Sequence, residues 1–77
     1  MDAIYRSRHI HTMPQLNIDT DCWIPRADIT WEEQGTQHHQ PLVGPADRFK
    51  IIDQAEIFAV EMAKAWIDGE FLDDLTP

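Results

Sequence analysis

Residues 32–40, Glu-Glu-Gln-Gly-Thr-Gln-His-His-Gln, bring two carboxylates, a glycine and two adjacent histidines into one short stretch. Residue types like these bind metals or act as acid–base pairs. Adjacent residues on a regular strand point to opposite faces, however, so His38 and His39 cannot both ligate one ion. His9 and His11 lie two apart and share a strand face, where Cys22 or an acidic residue could complete a metal set. No His-Glu-x-x-His, cysteine pair or calcium loop accompanies them. A small metal site using His9, His11, His38 or His39 therefore stands only as a minor alternative. An acid–base pair needs two opposed environments. Glu32–Glu33 and Asp73–Asp74 lie in turn and tail segments, where solvent makes the environments alike. Three scattered glycines build no phosphate loop. The residues thus predict no enzyme, no cofactor and no catalytic set.

The elements that carry these residues follow from periodicity. From Arg26 to Glu32 apolar and polar residues alternate, with Ala27, Ile29 and Trp31 on one face and Arg26, Asp28, Thr30 and Glu32 on the other. Trp23 falls on the apolar parity as well, giving a small core with Trp31 opposite a helix. Pro25 belongs at the strand entrance or on an edge, because it has no N–H for a ladder. Gly35 offers the positive φ a hairpin needs, and Gln37–Val43 returns, with Pro41 again implying an edge. A two-residue turn at Gln34–Gly35 sets His38 opposite Trp31; a three-residue turn sets His39 there instead. One residue of slip exchanges the faces. Gly44–Pro45 ends this strand, Asp47 can close the next corner with Arg48 projecting from it, and Phe49 is delivered toward the core. The stretch Arg48–Ile52 is a candidate third strand. Residues 1–22 are either a first strand or a flexible arm, interrupted at Pro14, with turn-like composition from Asn17 to Cys22.

The helix is expected over about residues 53–68. Asp53 and Glu56 have capping-box spacing, and Ile52 and Ile57 have the spacing of a hydrophobic staple. Ala55, Phe58, Ala59, Met62, Ala63 and Trp66 make one apolar stripe, widened by Ile57, Val60 and Ile67. Lys64 and Asp68 stand at i, i+4 spacing, and Gly69 stands where a left-handed cap is usual. Residues 69–77 then read as an acidic tail whose Phe71, Leu72 and Leu75 fold back or meet a partner. The expected class is α+β, a small antiparallel sheet of two to four strands packed against one C-terminal helix.

Seventy-seven residues predict one domain near the lower limit of independent stability. Cys22 is the sole cysteine, which excludes an internal disulfide and leaves association as the commonest support. Fourteen acidic against six basic side chains give a net charge of −8. Nucleic acids and anionic membranes are poor partners for such a chain, and only Arg6 and Arg8 form a close basic pair. With no apolar run of membrane length and no secretory h-region, a cytoplasmic location is expected. Trp23, Trp31, Trp66 and Phe71 are the candidate interaction surface, since aromatic residues serve cores and interfaces alike.

Ala46, Asp47 and Phe49 before the helix, with Ala55, Ala63, Lys64, Ile67 and Asp68 along it, make residues 27–68 similar to the small bacterial HlyU-type family. That resemblance implies a hairpin, a corner and a helix, and a transcription-linked regulatory role. The residues themselves predict a small non-enzymatic interaction or regulatory domain, self-associating as a homodimer or bound to another protein.

Overall fold

The computed structural model describes residues 1–74. Strands β1 (Asp2–Tyr5), β2 (Arg8–Thr12), β3 (Gln15–Asn17), β4 (Cys22–Ile24), β5 (Arg26–Glu33) and β6 (Thr36–Val43) precede helix α1 (Ile52–Asp74). A four-stranded antiparallel sheet of order β1-β2-β5-β6 packs against the helix, and β3 and β4 form a separate two-stranded sheet. The fold is α+β. The first 22 residues supply two strands of the main sheet and the excursion that links β2 to β5.

Two hairpins frame the main sheet, and both close on two-residue turns. In the second, Gln34 and Gly35 have φ values of 53° and 77°, and the register pairs Glu33 with Thr36 and Trp31 with His38. Positive φ at both central positions matches the right-handed twist of the flanking strands. This turn settles the hairpin: His38 shares the helix-facing side with Trp31, while His39 and Thr30 share the open side. Residues flanking such a turn exchange both backbone hydrogen bonds, and the exchange recurs at every second pair. The Gly44 N–H to Pro25 carbonyl bond of 2.8 Å lies on the same parity. Pro41 therefore falls where its missing N–H would have pointed off the free edge, and the ladder loses nothing.

Trp23 does not share a strand face with Trp31. Buried Pro25 separates β4 from β5, and Trp23 pairs instead with Leu16 of β3. The candidate third strand reduces to one bridge, in which the Trp23 N–H donates to the Phe49 carbonyl at 2.6 Å. Phe49 then packs on Phe58 with ring centroids 5.1 Å apart.

Burial centres on Ile10, Ala27 and Ile29 of the sheet against Ala59, Ala63 and Ile67 of the helix. Ala55, Ala59 and Ala63 repeat every fourth residue and are fully buried, so small side chains let the helix lie close on the sheet. The stripe's axis explains where the sequence reading errs. Ile57 stands about 200° round the helix from Ala55, at roughly 100° per residue, and is 58% exposed rather than part of the stripe. Ile52 is exposed too, so no staple forms. Gln54 and Ala55 donate to the Ile51 carbonyl at 3.2 and 3.3 Å, which places the cap at Ile51 and Asp53 inside the first turn. Glu56 does not close a capping box; its carboxylate lies 3.6 Å from the Met1 amino group. The contact between Phe49 and β4 sets where the chain enters the helix, and that overrides the local capping signal.

At the other end the helix continues through Gly69 to Asp74, about 34 Å at 1.5 Å per residue. Gly69 has no positive φ and caps nothing. Residues 69–74 are thus helix rather than tail, and Leu75 lies outside the described residues. Lys64 pairs with Glu61 at 3.9 Å, not with Asp68, because Asp68 is taken by β1 and its turn.

Candidate functional site

The first hairpin's turn, Arg6–Ser7, has φ values of 50° and 65° without a glycine at either position. Non-glycine residues adopt this region at a cost of roughly 1 kcal/mol or more each. The turn is held by what it touches. Arg6 Nε donates to Asp68 Oδ1 at 2.9 Å, and the Tyr5 hydroxyl donates to the same carboxylate at 2.9 and 3.1 Å. Two residues on, Arg8 pairs with Glu70. Asp68 and Glu70 occupy the last turns of the helix, so the extra helical length is what reaches the β1–β2 turn.

Around Arg8 the aromatic residues converge. Its guanidinium lies 4.3 Å from the Trp31 ring centroid, 5.5 Å from Phe71 and 6.0 Å from Trp66. Arg6 lies 4.9 Å from the Phe71 ring centroid. Trp31 is sandwiched further: His38 stacks on it at 5.4 Å and 14°, and Trp66 tilts against it at 5.8 Å. Cation–aromatic contacts of this kind contribute about 0.5–2 kcal/mol each, the more so when shielded from water. The Trp31 Nε1–H is buried without a hydrogen-bond partner among the described residues. Beside these rings opens a cleft of about 300 Å³, lined by Trp31, Phe71, the Arg6–Arg8 turn and Glu32 and Glu33.

Three of the four candidate interaction residues, Trp31, Trp66 and Phe71, therefore meet at one end of the molecule. Trp23 belongs to the other sheet and does not join them. Sequence reasoning missed Tyr5, Arg6, Arg8, Asp68 and Glu70 as partners of this cluster. The Arg6/Arg8 pair was the visible signal, but its carboxylate partners lie more than sixty positions away in the chain.

The histidines are dispersed. His9, His11 and His39 lie on the open face, His38 on the helix-facing one, and Cys22 is buried in the small sheet. His11 Nδ1 contacts Asp2 at 2.5 Å, and His39 Nδ1 contacts Asp28 at 3.4 Å. The hydrogen bond with His11 holds the Asp2 carboxyl below its ordinary range. Among the described residues no three His, Cys, Asp or Glu side chains are gathered as a metal would require. No described helix is long and apolar enough to cross a membrane.

Ala55, Ala63 and Ile67 are fully buried, Phe49 packs on Phe58, and Asp68 anchors the first turn. No family model, curated protein or solved structure matches the chain.

Proposed function

We propose that this chain is a non-enzymatic protein-interaction domain that works through the Trp31–Trp66–Phe71 end of the molecule, as a homodimer or as a subunit of a larger partner. One observation carries the reading: Arg6, Arg8, Trp31 and Phe71 line one open cleft, with Trp66 packed behind Trp31. Tryptophan, tyrosine and arginine are the residue types that dominate binding energy at protein interfaces. These aromatic residues pack against the edge of the core and are only half-buried, which leaves part of each ring open to a partner. The open sheet face, with His9, His11, Asp28, Thr30 and His39, carries exposed Ile4 and Val43 at separate positions but no aromatic cluster.

Site-specific photo-crosslinking in the native host tests the reading. A photoreactive phenylalanine analogue at position 71 is expected to give protein adducts, while the same analogue at exposed Val43, at the far end of the open face, gives none. An adduct of twice the chain mass supports the homodimer, and one with another polypeptide supports the subunit. Adducts from position 43 alone, or none from position 71, would overturn the proposal.

The transcription-linked reading implied by the HlyU-type resemblance is the alternative, and it rests on the sequence pattern that includes Phe49, Ala55, Ala63 and Ile67. Direct phosphate contact is disfavoured, because Arg6 and Arg8 are each held by a carboxylate. A mobility shift with steep salt dependence would favour DNA contact over the interaction reading.

A further inference from the structure

Charge around the cleft points to one kind of occupant. Arg6 and Arg8 line it, but Asp68 and Glu70 already neutralise them. Glu32 and Glu33 line it too, and neither has an ion-pair partner among the described residues. The uncompensated charge at the rim is thus negative, on a chain whose net charge is −8. The walls are of a kind that packs against cations. Trp31 and Phe71 already accept the Arg8 guanidinium against their rings, at 4.3 and 5.5 Å. A cleft of about 300 Å³ admits one long side chain and little more.

We propose that the cleft receives an arginine or lysine side chain from a basic segment of a protein partner, its cationic head against Glu33, which shares the helix-facing side with Trp31, its stem beside Trp31 and Phe71, and Glu32 adding negative charge from the other side of the rim. This deepens, and rests on, the interaction-domain reading. Rim carboxylates steer and select a basic partner, and aromatic walls hold a guanidinium or ammonium once water is excluded. Acidic peptides and phosphate-bearing partners meet the same charges as repulsion. A second copy is a poorer match. Its exposed Arg48 could enter the cleft, but only by bringing another chain of charge −8 with it.

Titration of the intact, isotope-labelled chain tests this, with indole N–H resonances as the readout. The three tryptophans give separate reporters, and Trp31 lines the cleft while Trp23 sits in the other sheet. The probe is an end-blocked peptide of alternating arginine and glycine, compared with its glutamate counterpart. The arginine peptide should move the Trp31 indole signal saturably and leave Trp23 in place. The glutamate peptide should move neither. The double variant Glu32→Gln/Glu33→Gln, at two exposed positions, should keep the parent spectrum and weaken the arginine peptide about tenfold, in line with loss of rim charge. Equal response to both peptides, undiminished binding by the double variant, or no Trp31 response at millimolar peptide would overturn the cationic occupant. A Trp31 shift produced merely by concentrating the protein would overturn it in favour of a second copy. None of these results touches the broader reading if crosslinks from position 71 persist; crosslinks from Val43 alone would defeat both.

Discussion

Arg6 and Ser7 concentrate the local cost of this structure. Two consecutive non-glycine residues at positive φ close a turn that chains usually build with asparagine and glycine. Their backbone angles are held because Tyr5, Arg6 and Arg8 each find a helix carboxylate or an aromatic ring. Ser7→Gly should relieve that cost and stabilise the fold by about 1 kcal/mol, less what is lost to a freer unfolded chain. Urea denaturation of the two proteins checks it, and an unchanged or lower midpoint would show that the turn is not strained. None of this was legible in residues 1–22, whose irregular alternation left strand and arm equally open. The turn at Arg6–Ser7 shifts the parity, so Ala3, Tyr5, Arg8 and Ile10 share the helix-facing side while Ile4 and His9 share the open one.

Among the elements, α1 and β6 give the sharpest tests. Gly69 lies within the helix, and a Cβ there would meet nothing within 4 Å. Gly69→Ala should therefore raise stability by about 0.8–1 kcal/mol, the propensity difference in a helix interior. Gly44→Ala should do the reverse. Its Cβ would stand 3.0 Å from Phe58 and 3.1 Å from Pro25, and crowding of this kind costs about 1–3 kcal/mol. Thermal melts of the pair should move in opposite directions; a loss of stability in Gly69→Ala would mean that Gly69 caps the helix after all. On β6, Pro41 withholds a donor from the exposed edge, a common guard against edge-to-edge pairing. Pro41→Val should leave the melting temperature nearly unchanged while increasing concentration-dependent aggregation, measured by light scattering. The β5–β6 hairpin and the alanine stripe were readable because each obeys a local period. The helix ends were not, since the Trp23–Phe49 bridge sets the first and the Arg6–Arg8 turn anchors the second.

At the scale of the whole molecule, the fold is thin and long. Its extents are 43 × 26 × 17 Å, and its radius of gyration is 13.7 Å against about 11.5 Å for a compact chain of this length. One sheet face is covered by one helix, so the core rests on few side chains, with Ile10, Ile29 and Ile67 the largest fully buried aliphatics. Ile29→Ala should cost about 2–5 kcal/mol, a large share of what a domain this small possesses. Circular dichroism at ambient temperature should show the variant largely unfolded, and a cooperative melt close to the parent's would contradict this account of the core. The amino-acid sequence alone determined the α+β class, the β5–β6 strands and the buried alanine stripe, because hydrophobic period and turn chemistry act between near neighbours. Tertiary structure decided the hairpin register, the separation of Trp23 from Trp31, the helix ends and the aromatic–arginine cluster. Those depend on contacts between distant segments, where a carboxylate at position 68 or 70 satisfies a turn at position 6. No local pattern encodes such a pairing, and it is there that the cleft is made.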